Sequence, residues 1–345
     1  MDKNGVVTIK DVAKRAGVSV ATAGRALGNY GKFSQETREK VLAVADELNY
    51  VPNKMAQSMR SRNTRTLGIV IPDVQNRFFG EILGSMEKRA REKDYALLIC
   101  NSGEKREQEL ECLEMLTSKQ VDGILLGSAF VDVREIPEKY LKIVCRNIPC
   151  VLFDRNIDGM KTVSILTDNY KICYEATKYL IGLGHTHIAT IGSEKDGKVS
   201  NTVKEREAGY RTALRESGVT NGGLSINVDW QKSQDMEKKL NILFDYHKVT
   251  AVIILNNSLF GGFLRVIRKR NINVPDDLSV ITWDDEDYDE FLNITAVRQP
   301  TTKIGELAID NVIEQIENPE KRNDSTTITL DSRLIIRNSC KINHL

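Results

Sequence analysis

Four groups of side chains have types and spacing that could do chemistry. Arg25 stands in SVATAGRAL, after Ser19, Val20, Ala21 and Thr22. A guanidinium carried on a helix can contact guanine O6 and N7 in bidentate fashion, small apolar neighbours can touch thymine methyls, and nearby hydroxyls can bond phosphate. His185-Thr-His187 brings two imidazoles together inside LGHTHIATI, which reads as the lead-in to a strand rather than a metal site. The run Asp284 to Glu290, DDEDYDE, has alternating carboxylates. A calcium loop would need glycine and a terminal glutamate where Glu290 and Ala296 stand, so a solvated loop with Asp284 facing a cleft is expected. Cys100, Cys112, Cys145, Cys150, Cys173 and Cys340 form no C-x-x-C pair and lie in apolar segments, which suits reduced, buried thiols. G-x-G-x-x-G, Walker, G-x-S-x-G and H-E-x-x-H motifs are absent, so no catalytic residue, metal or cofactor is expected.

The elements that must carry these residues change character along the chain. Thr8 with Asp11 resembles a capping box, and Ile9, Val12, Ala13 and Ala16 then fall on one helical face. Gly17-Val18 breaks that helix, Ser19 caps the next, and Ser34 opens a third whose apolar face is Val41, Val44, Ala45 and Leu48. From Leu67 onward the short apolar runs LGIVIP, ALLIC, GILLG, CVLF, IATI, AVIIL and SVIT alternate with amphipathic helices, as in βαβ units around buried parallel sheets. About 280 residues of this pattern predict two α/β subdomains.

Composition sets the class. The 345 residues are 41% hydrophobic and 28% charged, with no apolar run of membrane-spanning length and no secretory signal pattern, so a cytoplasmic protein of two or three domains is expected. Residues 1 to 63 carry 11 Lys/Arg against 6 Asp/Glu, and the remainder 38 against 42. A basic head on a mildly acidic body points to a nucleic-acid-binding module joined to something else.

TIKDVAKRAGVSVATAGRAL (residues 8–27) is followed by SQETREKVLAVADELNYVPN (34–53), MAQSMRSRNTRTLGIVIPDVQNRFFGEI, DGILL, LIGLGHTHIATIG, REAGYRTAL, VPDDLSVITWDD, AVRQP and RLIIRNS. This succession resembles the lactose repressor family along nearly the whole chain. The resemblance implies an α/β protein with a helix-turn-helix headpiece (1–52), a hinge helix (53–66) and a core (67–345) like type I periplasmic binding proteins. Its two parallel-sheet subdomains, joined by three crossovers, would span about 67–163 with 297–328 and 164–296 with 329–345. The implied function is a homodimeric repressor of carbohydrate genes whose affinity for a pseudo-palindromic double-stranded operator is changed by a sugar-type effector. No leucine heptads precede Leu345, so a dimer is expected over a tetramer. A sugar-binding receptor without DNA function is the alternative from another class, and a sugar-processing enzyme of similar fold a weaker one.

Helix-turn-helix docking puts Val20, Ala21 and Arg25 at the bases and Thr8, Thr22, Asn53 and the nearby lysines on phosphate, with Ser19 among the DNA-binding residues; the resemblance adds Ala56 lining the minor groove and Met59 as the inserted wedge. Ala23 and Gly24 replace the usual valine and serine, removing a core methyl pair and a phosphate-contacting hydroxyl; a lower DNA affinity is therefore expected. Arg77 stands where proline is usual. The effector residues carried over are Phe78, Phe79, Asp154, Ser200, Thr202, Arg206, Trp230, Asn257, Asp284 and Gln299, at strand ends where open α/β sheets bind ligands. Purine-binding relatives carry arginine at the position of Ser200, so a neutral sugar is favoured.

Overall fold

The structure, a computed structural model, describes residues 7–28, 31, 33–50, 63–144, 148–195, 197–219, 223–229, 232–323 and 325–343. The chain divides into two compact units, Met1–Thr64 and Arg65–Leu345, and each is described by itself.

Three helices build the first unit: α1 (Ile9–Ala16), α2 (Val20–Gly28) and α3 (Gln35–Glu47). Local chemistry sets their ends. The Thr8 amide donates to Asp11 Oδ2 at 2.9 Å, closing the first turn of α1. Gly17 ends that helix in the left-handed region at φ 69°, and the amides of Gly17 and Val18 return to the carbonyls of Lys14 and Ala13. Ser19 and Ser34 accept the amides of Thr22 and Thr37 at 3.0 and 3.2 Å, starting α2 and α3. Val12, Ala13, Ala16, Ala23, Ala26, Val41 and Ala45 form the shared core, and Gly24 is buried as well.

In the second unit strands and helices alternate. The first stretch runs β1 (Thr66–Ile71), α4 (Arg77–Glu92), β2 (Ala96–Asn101), α5 (Arg106–Ser118), β3 (Gly123–Leu126), α6 (Glu138–Lys142), β4 (Cys150–Phe153) and β5 (Val163–Thr167). Next come α7 (Asn169–Gly182), β6 (Ile188–Glu194), α8 (Asn201–Glu216), β7 (Gly223–Asp229), α9 (Ser233–His247), β8 (Ala251–Ile254), α10 (Phe260–Lys269), β9 (Ser279–Trp283), α11 (Asp287–Phe291) and β10 (Thr295–Arg298). The chain finishes with α12 (Thr301–Glu317), β11 (Thr327–Leu330) and β12 (Arg333–Ile335).

Two six-stranded sheets result, ordered β11-β5-β4-β3-β1-β2 and β12-β10-β9-β8-β6-β7. All pairings are parallel except β10 with β12. Each sheet organises one subdomain, and the chain crosses between them near Asp168, Gln299 and Asp331. These crossovers fall a few residues beyond the expected boundaries after 163, 296 and 328. Val163–Thr167 pairs with both β4 and β11 and so stays in the first sheet through Thr167. Thr295–Arg298 pairs with β9 and β12 and so stays in the second.

The acidic run is not a solvated loop. Asp287 to Phe291 is helical, and Asp289 is fully buried, capping the Glu286 amide and accepting from Thr282 Oγ1. The Asp285 carboxylate sits between Arg298 and Arg337, which compensate its burial. His185 is buried before β6, its ring nitrogens against Thr250 Oγ1 at 2.8 Å and the Lys341 carbonyl at 3.1 Å. Cys100, Cys150 and Cys173 are buried, and Cys112 and Cys340 are half-buried. Among the described residues no group of three or more His, Cys, Asp or Glu side chains could hold a metal ion, and no helix is long and apolar enough to cross a membrane.

One packing point decides how α7 and α8 meet. A Cβ at Gly209 would stand 2.1 Å from the Tyr170 carbonyl oxygen, which is backbone and cannot swing aside. Gly209→Ala is therefore expected to cost about 3 kcal/mol of stability, read as a lower midpoint in thermal or urea unfolding.

Candidate functional site

The head presents a polar edge at the start of its second helix. Ser19, Ala21 and Arg25 are exposed, whereas Thr8, Val20 and Thr22 are half-buried. Ser19 and Thr22 also share a hydroxyl contact of 2.8 Å. Ala21 and Arg25 are four residues apart and so lie on one helical face, with Ala23, Gly24 and Ala26 turned into the core. Small apolar and guanidinium groups on one exposed helix face are what major-groove reading requires. Asn53, Ala56 and Met59, expected in the hinge, lie outside the described residues.

The second unit holds a cleft of about 610 Å³ between its subdomains. Asn76, Phe79, Glu104, Ser128 and Arg155 line it from the first subdomain, and Ser193, Lys195, Ser200 and Asn256 from the second. Arg155 holds Glu104 in a bidentate ion pair with both bonds at 2.7 Å. Lys195 reaches across to the carbonyls of Gly103 and Glu104 at 2.7 and 3.3 Å.

Beside this cleft lies an acid–arginine cluster, buried but for the half-buried Asp284. Asp154 directly follows β4 and Asp284 directly follows β9, both with left-handed backbones at φ 65° and 80°. Such strain in non-glycine residues is characteristic of functional sites, because the surrounding structure must impose it. Arg206, on α8, favours the ionised form of both acids against their burial, and for Asp154 it acts together with Arg155, whose Nε lies 3.3 Å from Oδ2. The Arg206 Nε donates to Asn169 Oδ1 at 2.7 Å, its Nη1 donates to the Leu255 carbonyl at 2.5 Å, and its guanidinium lies 4.1 Å from the Trp283 ring centroid. Nη2 makes no hydrogen bond to the described residues. Gln299, on the second crossover, donates to Asp284 Oδ1 at 2.5 Å and accepts from Thr167 Oγ1 at 2.8 Å, tying the cluster to both subdomains.

The expected effector residues divide accordingly. Phe79 and Ser200 line the cleft, and Phe78 packs edge-on against Phe79 at 5.1 Å. Ser200 caps α8 and shares a 2.8 Å contact with Thr202, so neither adds charge there. Asp154, Arg206 and Gln299, all buried, form the cluster with the half-buried Asp284. Asn257 stands apart from the cluster: its amide exchanges hydrogen bonds of 2.9 and 3.0 Å with Asn76 across the subdomains and donates to Glu286 at 2.7 Å. Trp230 lies outside the described residues. Glu104, Arg155 and Lys195 were not foreseen, and only the place of Arg155 beside a strand-end aspartate could have signalled any of them.

Burial pushes the Asp284 carboxyl up to about 7, with Arg206 and Gln299 opposing and Asp154 and Glu286 adding to the rise. An effector that hydrogen-bonds the carboxylate must take it ionised. Its affinity is then expected to fall about tenfold from pH 8 to pH 6, and Asp284→Asn to flatten that slope in calorimetric titrations.

Comparison with known proteins agrees with both units. The model of the bacterial regulatory proteins of the lacI family matches residues 8–53, and that of the periplasmic binding protein-like domain matches 177–340. The HTH-type transcriptional repressor PurR of Vibrio campbellii is 31% identical, with 97% of this chain and 99% of that protein covered. The HTH-type transcriptional regulator DegA of Bacillus subtilis is 32% identical over 96% of this chain and 97% of its own. Among solved structures, the lac repressor dimer bound to operator and the anti-inducer ONPF has a TM-score of 0.83 at 22% identity, covering 97% of this chain and 99% of that one. A CelR–cellobiose complex has a TM-score of 0.68 at 24% identity, covering 96% and 99%. These relatives and the family are transcriptional regulators, not enzymes. The exposed face of the second helix, the strand-end cluster beside a cleft and near-full-length similarity lead to one conclusion: the chain belongs to the lacI family of bacterial regulatory proteins and is a DNA-binding transcriptional regulator.

Proposed function

We propose that the protein is a homodimeric repressor of carbohydrate genes whose operator affinity is set by a neutral sugar in the cleft between its subdomains. Two α2 helices, related by the dimer axis, read the half-sites of a pseudo-palindrome through Arg25, Ala21 and Val20, while Thr8, Ser19, Thr22 and Asn53 fix register on phosphate. Ala56 and Met59 act in the minor groove. The sugar is held by Asp154, Arg206, Asp284 and Gln299 over an aromatic wall that includes Phe79, with Trp230 covering its C–H face. Its binding biases the angle between the subdomains and thereby the operator affinity.

The observation that carries this reading is the Asp154–Arg206–Asp284 cluster with one guanidinium nitrogen left to a ligand. A buried and a half-buried carboxylate beside a fixed guanidinium suit vicinal hydroxyls, which donate and accept at once. The uncharged Ser200–Thr202 pair and the cellobiose complex of a fold relative support a sugar over a purine. Calorimetric titration with ribose, glucose, cellobiose, hypoxanthine and guanine tests it. Saturable binding of a sugar alone is expected; binding of a purine alone would overturn the sugar assignment and leave the DNA-binding role standing.

A further inference from the structure

The wall of the cleft after β3 is held by a side chain that never reaches the cleft. Glu109, in the first turn of α5, is fully buried among apolar neighbours such as Leu113, Phe130 and Ile136. Its Oε2 accepts the Ala129 amide at 2.6 Å. Its Oε1 accepts the hydroxyls of Ser128 at 2.6 Å and Tyr140 at 2.5 Å. Ser128 Oγ in turn accepts the Phe130 amide at 3.0 Å, and the Phe130 ring is fixed between Tyr140, edge-on at 5.2 Å, and the Arg106 guanidinium at 4.9 Å. Ser128, Ala129 and Val131 face the cleft on the other side.

A buried carboxylate is costly unless its acceptor sites are filled, so an apolar residue would serve better here if packing were the only requirement. What the site demands is acceptors on both branches of one side chain, because three donors converge from a loop and a helix. We propose that Glu109 is a positioning residue of the cleft: it fixes the backbone of residues 128–130 and thereby sets the affinity with which the cleft takes its effector. This rests on the reading of the cleft given above. Gly127 donates its amide to the Val70 carbonyl at 2.9 Å and the Val131 carbonyl accepts the Asp158 amide at 2.9 Å; between these two anchors, residues 128–130 are held by the bonds to Glu109 and Ser128.

The test uses the full-length protein carrying Glu109→Met, which keeps volume and removes the acceptors, and Glu109→Gln, whose amide oxygen still accepts while the Ser128 and Tyr140 hydroxyls rotate to suit. Amide hydrogen exchange at residues 128–130, calorimetric titration with cellobiose and operator binding without sugar are read for each. Glu109→Met is expected to speed exchange in this segment and weaken cellobiose binding, each about tenfold, with operator affinity held within about twofold; Glu109→Gln is expected to restore most of both. Ser128→Ala keeps the question open to measurement should Glu109→Met fail to fold. Losing the hydroxyl that accepts the Phe130 amide, it is expected to speed exchange at Phe130 about threefold. Unchanged exchange in these variants, or a fall in thermal stability with sugar affinity untouched, would overturn the proposal. Should the wild type ignore cellobiose, the sugar assignment for that probe fails, and the exchange measurements still decide whether Glu109 holds the wall.

Discussion

Arg25→Ala is expected to lower operator affinity by about thirtyfold to ten-thousandfold, at a cost of about 1–3 kcal/mol in each of two half-sites, and to relax discrimination at one base pair of each half. The argument is geometric and chemical together. Arg25 is exposed on the same face of α2 as Ala21, and the neighbours that share that helix start offer only methyl groups or short hydroxyls. Val20 and Ala21 can touch a thymine methyl but cannot report a donor–acceptor pattern, so most of the base reading falls to the guanidinium. Lys10→Ala, which removes a charge from exposed α1, is expected to weaken binding to all sequences alike and to reduce the salt slope by about one. Competitive fluorescence anisotropy with wild-type and single-base-variant duplexes separates the two behaviours. Equal losses on all duplexes for Arg25→Ala would show that it contacts backbone only.

Arg206→Met is expected to abolish the response to effector, weakening its binding by at least about a hundredfold, and to reduce stability of the core by about 2–4 kcal/mol. Three consequences meet at one residue. The effector loses a charged donor, Asn169 Oδ1 and the Leu255 carbonyl lose theirs, Asp284 loses the cation that offsets its burial, and Asp154 keeps only Arg155, 3.3 Å from its Oδ2. Both acids should then titrate higher still. Operator binding without effector is retained, because the head folds on its own helix caps and its own small core. Calorimetric titration and operator release assays check the first effect, and urea unfolding the second.

Much of this was legible in the sequence because it is governed by local chemistry. The three head helices are delimited by Thr8 with Asp11, Gly17, Ser19 and Ser34, each acting within four residues, and caps of that kind can be read directly. The buried central strands announced themselves as apolar runs. The strands β5, β7, β10, β11 and β12 did not: β5 carries Ser164 and Thr167 among its apolar residues, and β7 and β11 are largely half-exposed edge strands. That is why the subdomain boundaries fell early. Asp154, Asp284 and Arg206 were found by their places at strand ends and in a helix motif. The Asn76–Asn257 exchange and the Lys195 bonds to Gly103 and Glu104 join positions 181 and about 90 residues apart, and no local pattern encodes such partners. The acidic run misled because charge suggests solvent, while Asp285 and Asp289 are buried against arginines and a helix cap.

The most direct test of the central claim, that the protein is an effector-controlled, operator-specific repressor, is selection of bound duplexes from sheared genomic DNA by the purified protein at moderate salt, with and without the sugar that calorimetry identifies. The account predicts enrichment of a pseudo-palindrome whose recovery changes when the sugar is present. Folded, dimeric protein that enriches no sequence under either condition, while still binding the sugar, would contradict it and favour a sugar receptor.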